Sequence, residues 1–132
     1  MKNNPCLLTL MLYAKEPEKL AYFYQQYFDF NWNGQVIDGL IELDQPQIGM
    51  KILIHQAAKS IKTGKTSIKL VFSVADVDAF KQTCLEKGLV FGATHEANHY
   101  QFANAKDIEG NAISISSRIY RKQDDVASPS IE

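Results

Sequence analysis

The chain has 132 residues, 45% hydrophobic and 22% charged, with a formal net charge of −1. That length suits one domain with a real core, and the composition excludes a disordered or fibrous chain. Lys and Arg are scattered rather than gathered into a stripe, which argues against a nucleic-acid or anionic-membrane partner.

Residues 7–14, LLTLMLYA, form an apolar run of strand length. The run is short and leads into the charged stretch KEPEK, with no small-residue cleavage site, so no signal peptide is expected. No apolar stretch reaches the length of a membrane span. Pro17 suits a first helical position. Leu20, Phe23, Tyr24, Tyr27 and Phe28 then recur at helical spacing and form one apolar stripe. Strand-like stretches follow at 35–37, 39–44 and 49–56, and a polar, Lys-rich connector, AAKSIKTGKT, covers 57–66.

The same order of elements then begins again. Residues 67–74, SIKLVFSV, alternate, with Ile68, Leu70, Phe72 and Val74 on the apolar side. Asp76 is a good N-cap, Val77, Phe80, Cys84 and Leu85 supply a second helical stripe, and Gly88 suits a left-handed cap. Strand-like segments near 90–95 and 99–104 precede KDIEGN and a last strand, 111–117. In that turn Gly110 takes φ > 0 without strain, and Asp107 can hydrogen-bond its own following backbone. Strand-helix-strand-strand-strand is thus repeated, offset by about 60 residues, with little identity between the copies. The tail 119–132 is polar and expected to be flexible. Cys6 and Cys84 lie far apart with no CxxC pairing, which suits free thiols and a cytoplasmic location.

Three segments carry a resemblance: AKEPEKLAYFYQQYFDF at 14–30, FSVADVDAFKQTCLEKGL at 72–89 and KDIEGNAISIS at 106–116. They resemble, in order and register, motifs of the vicinal oxygen chelate superfamily of glyoxalases, bleomycin-resistance proteins and extradiol dioxygenases. The resemblance implies an α+β fold of two βαβββ modules, whose curved mixed sheets enclose one cavity with the helices outside. It implies a single domain over 1–118, with modules at 7–56 and 67–118 around the connector. It also implies a homodimer.

Enzymes of this superfamily bind a divalent metal through His, Gln or Glu on the first and last strand of each module. Alternation identifies which residues here would face a cavity. In the first module these are Thr9, Met11 and Tyr13 on one strand, and Lys51, Leu53 and His55 on another. In the second module they are Lys69, then Ser114 and Ser116 beside Ala112. By the resemblance, the four metal positions fall at Thr9, Lys51 or Leu53, Lys69 and Ser114. Neutral hydroxyls bind divalent ions weakly and a protonated Lys repels them, so no metal and no other cofactor is expected. A metal would need His55 and a rearranged set that draws on His95 or His99.

The ligand-binding candidates are therefore Thr9, Met11, Tyr13, Lys51, Leu53, His55, Lys69, Ser114 and Ser116. Lys69 and His55 are weak candidates for acid-base chemistry. The plainer readings are a paired or rim-directed Lys69, a satisfied His55, and exposed His95 and His99. Tyr13, Trp32, Phe91 and Tyr100 would line an aromatic pocket or simply fill core. Cys84 reads as a buried small hydrophobe. The favoured function is binding of a small, anionic or aromatic molecule without the usual metal. The alternatives are a glyoxalase- or dioxygenase-type enzyme with a displaced metal, and an interaction domain with a filled cavity.

Overall fold

The structure, a computed structural model, describes residues 7–122. Cys6 and residues 123–132 of the expected tail lie outside the described residues. In chain order the elements are β1 (Thr9–Ala14), α1 (Pro17–Phe28), β2 (Leu40–Leu43), β3 (Lys51–Gln56), β4 (Lys69–Ser73), α2 (Val77–Glu86), β5 (His95–Glu96), β6 (Gln101–Lys106) and β7 (Ala112–Ser116). A short 3-10 helix, Arg118–Tyr120, follows, so regular structure runs past residue 118. The elements fall into two compact units. Of the described residues, the first holds those up to Thr66 and Asp107–Gly110, while the second holds Ser67–Lys106 and Asn111–Lys122.

Two hydrogen bonds tie Asp107–Gly110 to the rest of the first unit. The Tyr24 hydroxyl donates to Asp107 Oδ2 at 2.6 Å, and the Lys15 amide donates to Glu109 Oε1 at 2.7 Å.

In the first unit the strand order is β1-β3-β2, with β1 parallel and β2 antiparallel to the central β3. Helix α1 packs on all three strands. It starts with Pro17, whose missing N–H would have no helical partner at that position anyway, and ends in a left-handed Asp29. Its stripe buries Leu20, Ala21, Phe23 and Tyr24 over Ile41, Leu43, Ile52 and Ile54. Truncating a fully buried member such as Leu20 to Ala would cost about 2–5 kcal/mol. Residues 35–37 form less strand than expected, only a bridge between Ile37 and Leu40. Asp38 and Gly39 both have positive φ, and Ile37 and Leu40 exchange backbone bonds at 3.0 and 2.9 Å. This is the two-residue Asp-Gly hairpin turn whose twist matches that of paired strands.

In the second unit the order is β4-β7-β6-β5, with β4 parallel to β7 and the other pairs antiparallel. Helix α2 opens where Asp76 accepts from the Ala79 amide at 3.0 Å. It closes with Gly88 at φ 103°, its amide bonded to Leu85 O and the Leu89 amide to Cys84 O. That pair of bonds is the Schellman closure, which favours glycine at the left-handed position. The core holds Val77, Cys84, Ala103, Ile113 and Ile115. Leu85 is 50% exposed and Ile68 60%, so both apolar patterns extend one residue beyond what the core covers. The expected strand 90–95 is reduced to His95–Glu96, with Gly92 bonding singly to Asn104 O.

Candidate functional site

On the first sheet, period-2 alternation puts Ile52 and Ile54 beneath α1 and turns Lys51, Leu53 and His55 to the opposite face. Register aligns Thr9 with Lys51, Met11 with Leu53 and Tyr13 with His55, so all six first-module candidates share that face. Met11 and Tyr13 remain exposed there. The Tyr13 and His55 rings meet edge-on at 5.9 Å between centroids. His55 Nδ1 donates to Gln56 O at 2.9 Å, which leaves Nε2 as the nitrogen that can accept. Lys51 is not free for a ligand. Its ammonium reaches Asp44 at 3.2 Å and Glu42 at 3.6 Å, and the bond it donates to Asp44, ahead of the field of Glu42, holds it above the ordinary lysine range.

The second sheet arranges its candidates differently. Across β4-β7-β6 the open face reads Lys69, Ala112, Lys106 in one row and Val71, Ser114, Asn104 in the next. Lys69 Nζ donates to Asn104 Oδ1 at 3.0 Å. Because β7 lies between those strands, the Lys69 side chain must cross β7 to make that bond. Ser114 lies beneath this crossing and is only 3% exposed. Its hydroxyl donates to Ala103 O at 3.0 Å. Ser116 is also buried, and its hydroxyl accepts from the Arg118 amide at 3.1 Å.

These residues do not suit a divalent metal. In the second unit the two inferred metal positions hold an ammonium and a hydroxyl already committed to a backbone carbonyl. In the first unit they hold an exposed Thr9, the ion-paired Lys51 and the apolar Leu53. Among the described residues no three of His, Cys, Asp and Glu converge as a cation would require. His95 and His99 are exposed, His95 against the Phe102 ring at 5.0 Å and His99 in a left-handed backbone position.

The remaining aromatic candidates are dispersed. Trp32 donates to Gln35 O, Phe91 is buried core, and Tyr100 lies under the Arg121 guanidinium. Cys84 is a buried free thiol, which burial pushes up from its ordinary value. Two clefts lie elsewhere. One, of about 320 Å³, is at the start of α1 beside Val36 and Gln56, and one of about 250 Å³ is on α2 beside Val90 and Phe91. Of the residues nominated from the sequence, the first cleft includes none and the second only Phe91.

Sequence reasoning missed two features. Asn104 and Lys106 belong to the open face, but a strand ending at 104 left Lys106 outside it. The signal was there: Phe102, Asn104 and Lys106 alternate with Ala103 and Ala105 up to the turn. Tyr24 and Asp107, both buried, form the other. Desolvation first, then the neighbouring Asp107 carboxylate, raises the Tyr24 phenol far above its ordinary value.

No protein-family model matches the chain, and no curated protein matches it. Solved structures do resemble it. TnmS3, an antibiotic binding protein from Streptomyces sp. CB03234, superposes with a TM-score of 0.71 at 17% identity, over 87% of this chain and 97% of that one. A glyoxalase/bleomycin resistance protein/dioxygenase family enzyme from Burkholderia phytofirmans PsJN gives 0.69 at 21% identity, over 83% and 96%. A lactoylglutathione lyase from Agrobacterium tumefaciens gives 0.66 at 16%, over 87% and 95%. Together with the order of elements, βαββ in the first unit and βαβββ in the second, these likenesses establish that the chain has the α+β fold of the glyoxalase, bleomycin-resistance and dioxygenase proteins, the vicinal oxygen chelate fold.

Proposed function

We propose that this protein binds a small molecule on a helix-free sheet face without the divalent metal used by enzymes of this fold. One observation carries the reading: Lys69 crosses β7 to Asn104 over a buried, already bonded Ser114. A cation above Ser114 would meet an ammonium instead of a carboxylate, and a ligand oxygen would meet a donor. The likeness to TnmS3, described as antibiotic binding, supports binding without turnover as the role. The reading includes a homodimer and a cytoplasmic location, to which the buried free thiol of Cys84 is suited.

The direct test is paramagnetic. Mn²⁺ added to ¹⁵N-labelled protein should broaden no backbone amide near Ser114 or Lys69 selectively. Native mass spectrometry of protein purified gently from its cells should show a small organic adduct. Saturable broadening centred on β7, at micromolar Mn²⁺, would overturn the proposal.

A further inference from the structure

The two sheets handle their lysines in opposite ways. On the first sheet Lys51 is answered by Glu42 and Asp44. On the second, Lys69 and Lys106 flank Ala112 in a single row, both exposed. No ion pair among the described residues involves either of them. The strand residues of this face include no Asp or Glu, since Glu96 pairs with Gln101 on the other side. Their Cα atoms are two strand spacings apart, about 10 Å, with only a methyl group between them. Two flexible four-carbon stems can converge on one group across that gap. Beyond the pair, along the strands, lie Val71, 58% exposed, and Phe102.

We infer that this row is an anion seat, and that the ligand is a small organic anion with a flat apolar body. Its carboxylate or phosphate head lies over Ala112 between Lys69 and Lys106, and its body runs toward Val71 and Phe102. Lys69 keeps its bond to Asn104, because an ammonium has three donors. The inference rests on the small-molecule reading above and adds the ligand's charge, polarity and direction.

The test titrates ¹⁵N-labelled full-length protein with 1-naphthoate, 1-naphthyl phosphate and the uncharged 1-naphthylmethanol. Both anions should shift the amides of Asn104, Lys106 and Ala112 saturably, and the tighter of the two names the headgroup. The alcohol should bind at least tenfold more weakly. Lys69→Gln and Lys106→Gln should each weaken anion binding roughly fivefold, the upper range for an exposed charge pair, and added salt should weaken it further. Lys62→Gln, in the connector, should change nothing. An absence of saturable shifts, shifts centred elsewhere, or a double Lys69→Gln/Lys106→Gln variant that binds normally would overturn the inference. Equal binding of the alcohol on this face would overturn the anion assignment but leave small-molecule binding standing. Manganese broadening of β7 would instead overturn the metal-free reading.

Discussion

Tyr24 and Asp107 show how much one buried pair can decide. The phenol is fully buried on α1, and its 2.6 Å bond joins the helix to the Asp107–Gly110 turn within the first unit. Asp107 also accepts from the Glu109 amide at 2.9 Å, so the carboxylate is satisfied from two sides. Tyr24→Phe removes a bond to a charged group and should lower the unfolding free energy by about 2 kcal/mol in urea titrations. The pH dependence has a definite sign. The folded phenol is raised above its unfolded value of 10, so its contribution is fully present below about pH 10. Above that pH the unfolded tyrosine ionises while the folded one does not. Wild type should then lose its advantage over Tyr24→Phe by up to about 1.4 kcal/mol per pH unit. A gap that stays constant from pH 9 to 11 would contradict this account.

Among the elements, α2 gives the cleanest energetic statement. Asp76→Ala deletes the one side-chain bond capping its first turn and should cost about 1 kcal/mol, read as a lower thermal midpoint. No change in the midpoint would mean that water or a neighbour replaces the cap. Both helices were legible in the sequence: each has an apolar stripe at helical spacing, with Pro17 marking the start of α1 and Asp76 and Gly88 bounding α2. The outer strands were less legible. Segment 35–37 looked apolar, yet the Asp38-Gly39 turn leaves it only one bridge. Segment 90–95 looked like a strand, but pairing partners decide strands and only His95 and Glu96 have them.

At the scale of the whole molecule, alternation grouped the candidate residues by sheet face but gave no account of their partners. Thr9, Lys51 and Lys69 were each readable as open-face residues. That Lys51 is neutralised by Asp44 and Glu42, while Lys69 reaches Asn104, depends on which strands are neighbours, a long-range fact no local pattern encodes. Ser114 was read as cavity-facing, and burial beneath a crossing lysine is what the sheet order adds. The same fold is found in a lactoylglutathione lyase and in an antibiotic binding protein, so fold alone does not choose between catalysis and binding. The choice made here depends on the chemistry at Lys69 and Ser114. Elemental analysis of protein purified without chelator and without added ions tests that choice most directly. The account predicts less than about one-tenth of a divalent ion per chain, since none of the inferred ligand positions supplies a suitable donor. One equivalent of zinc, nickel, manganese or iron per chain would contradict it.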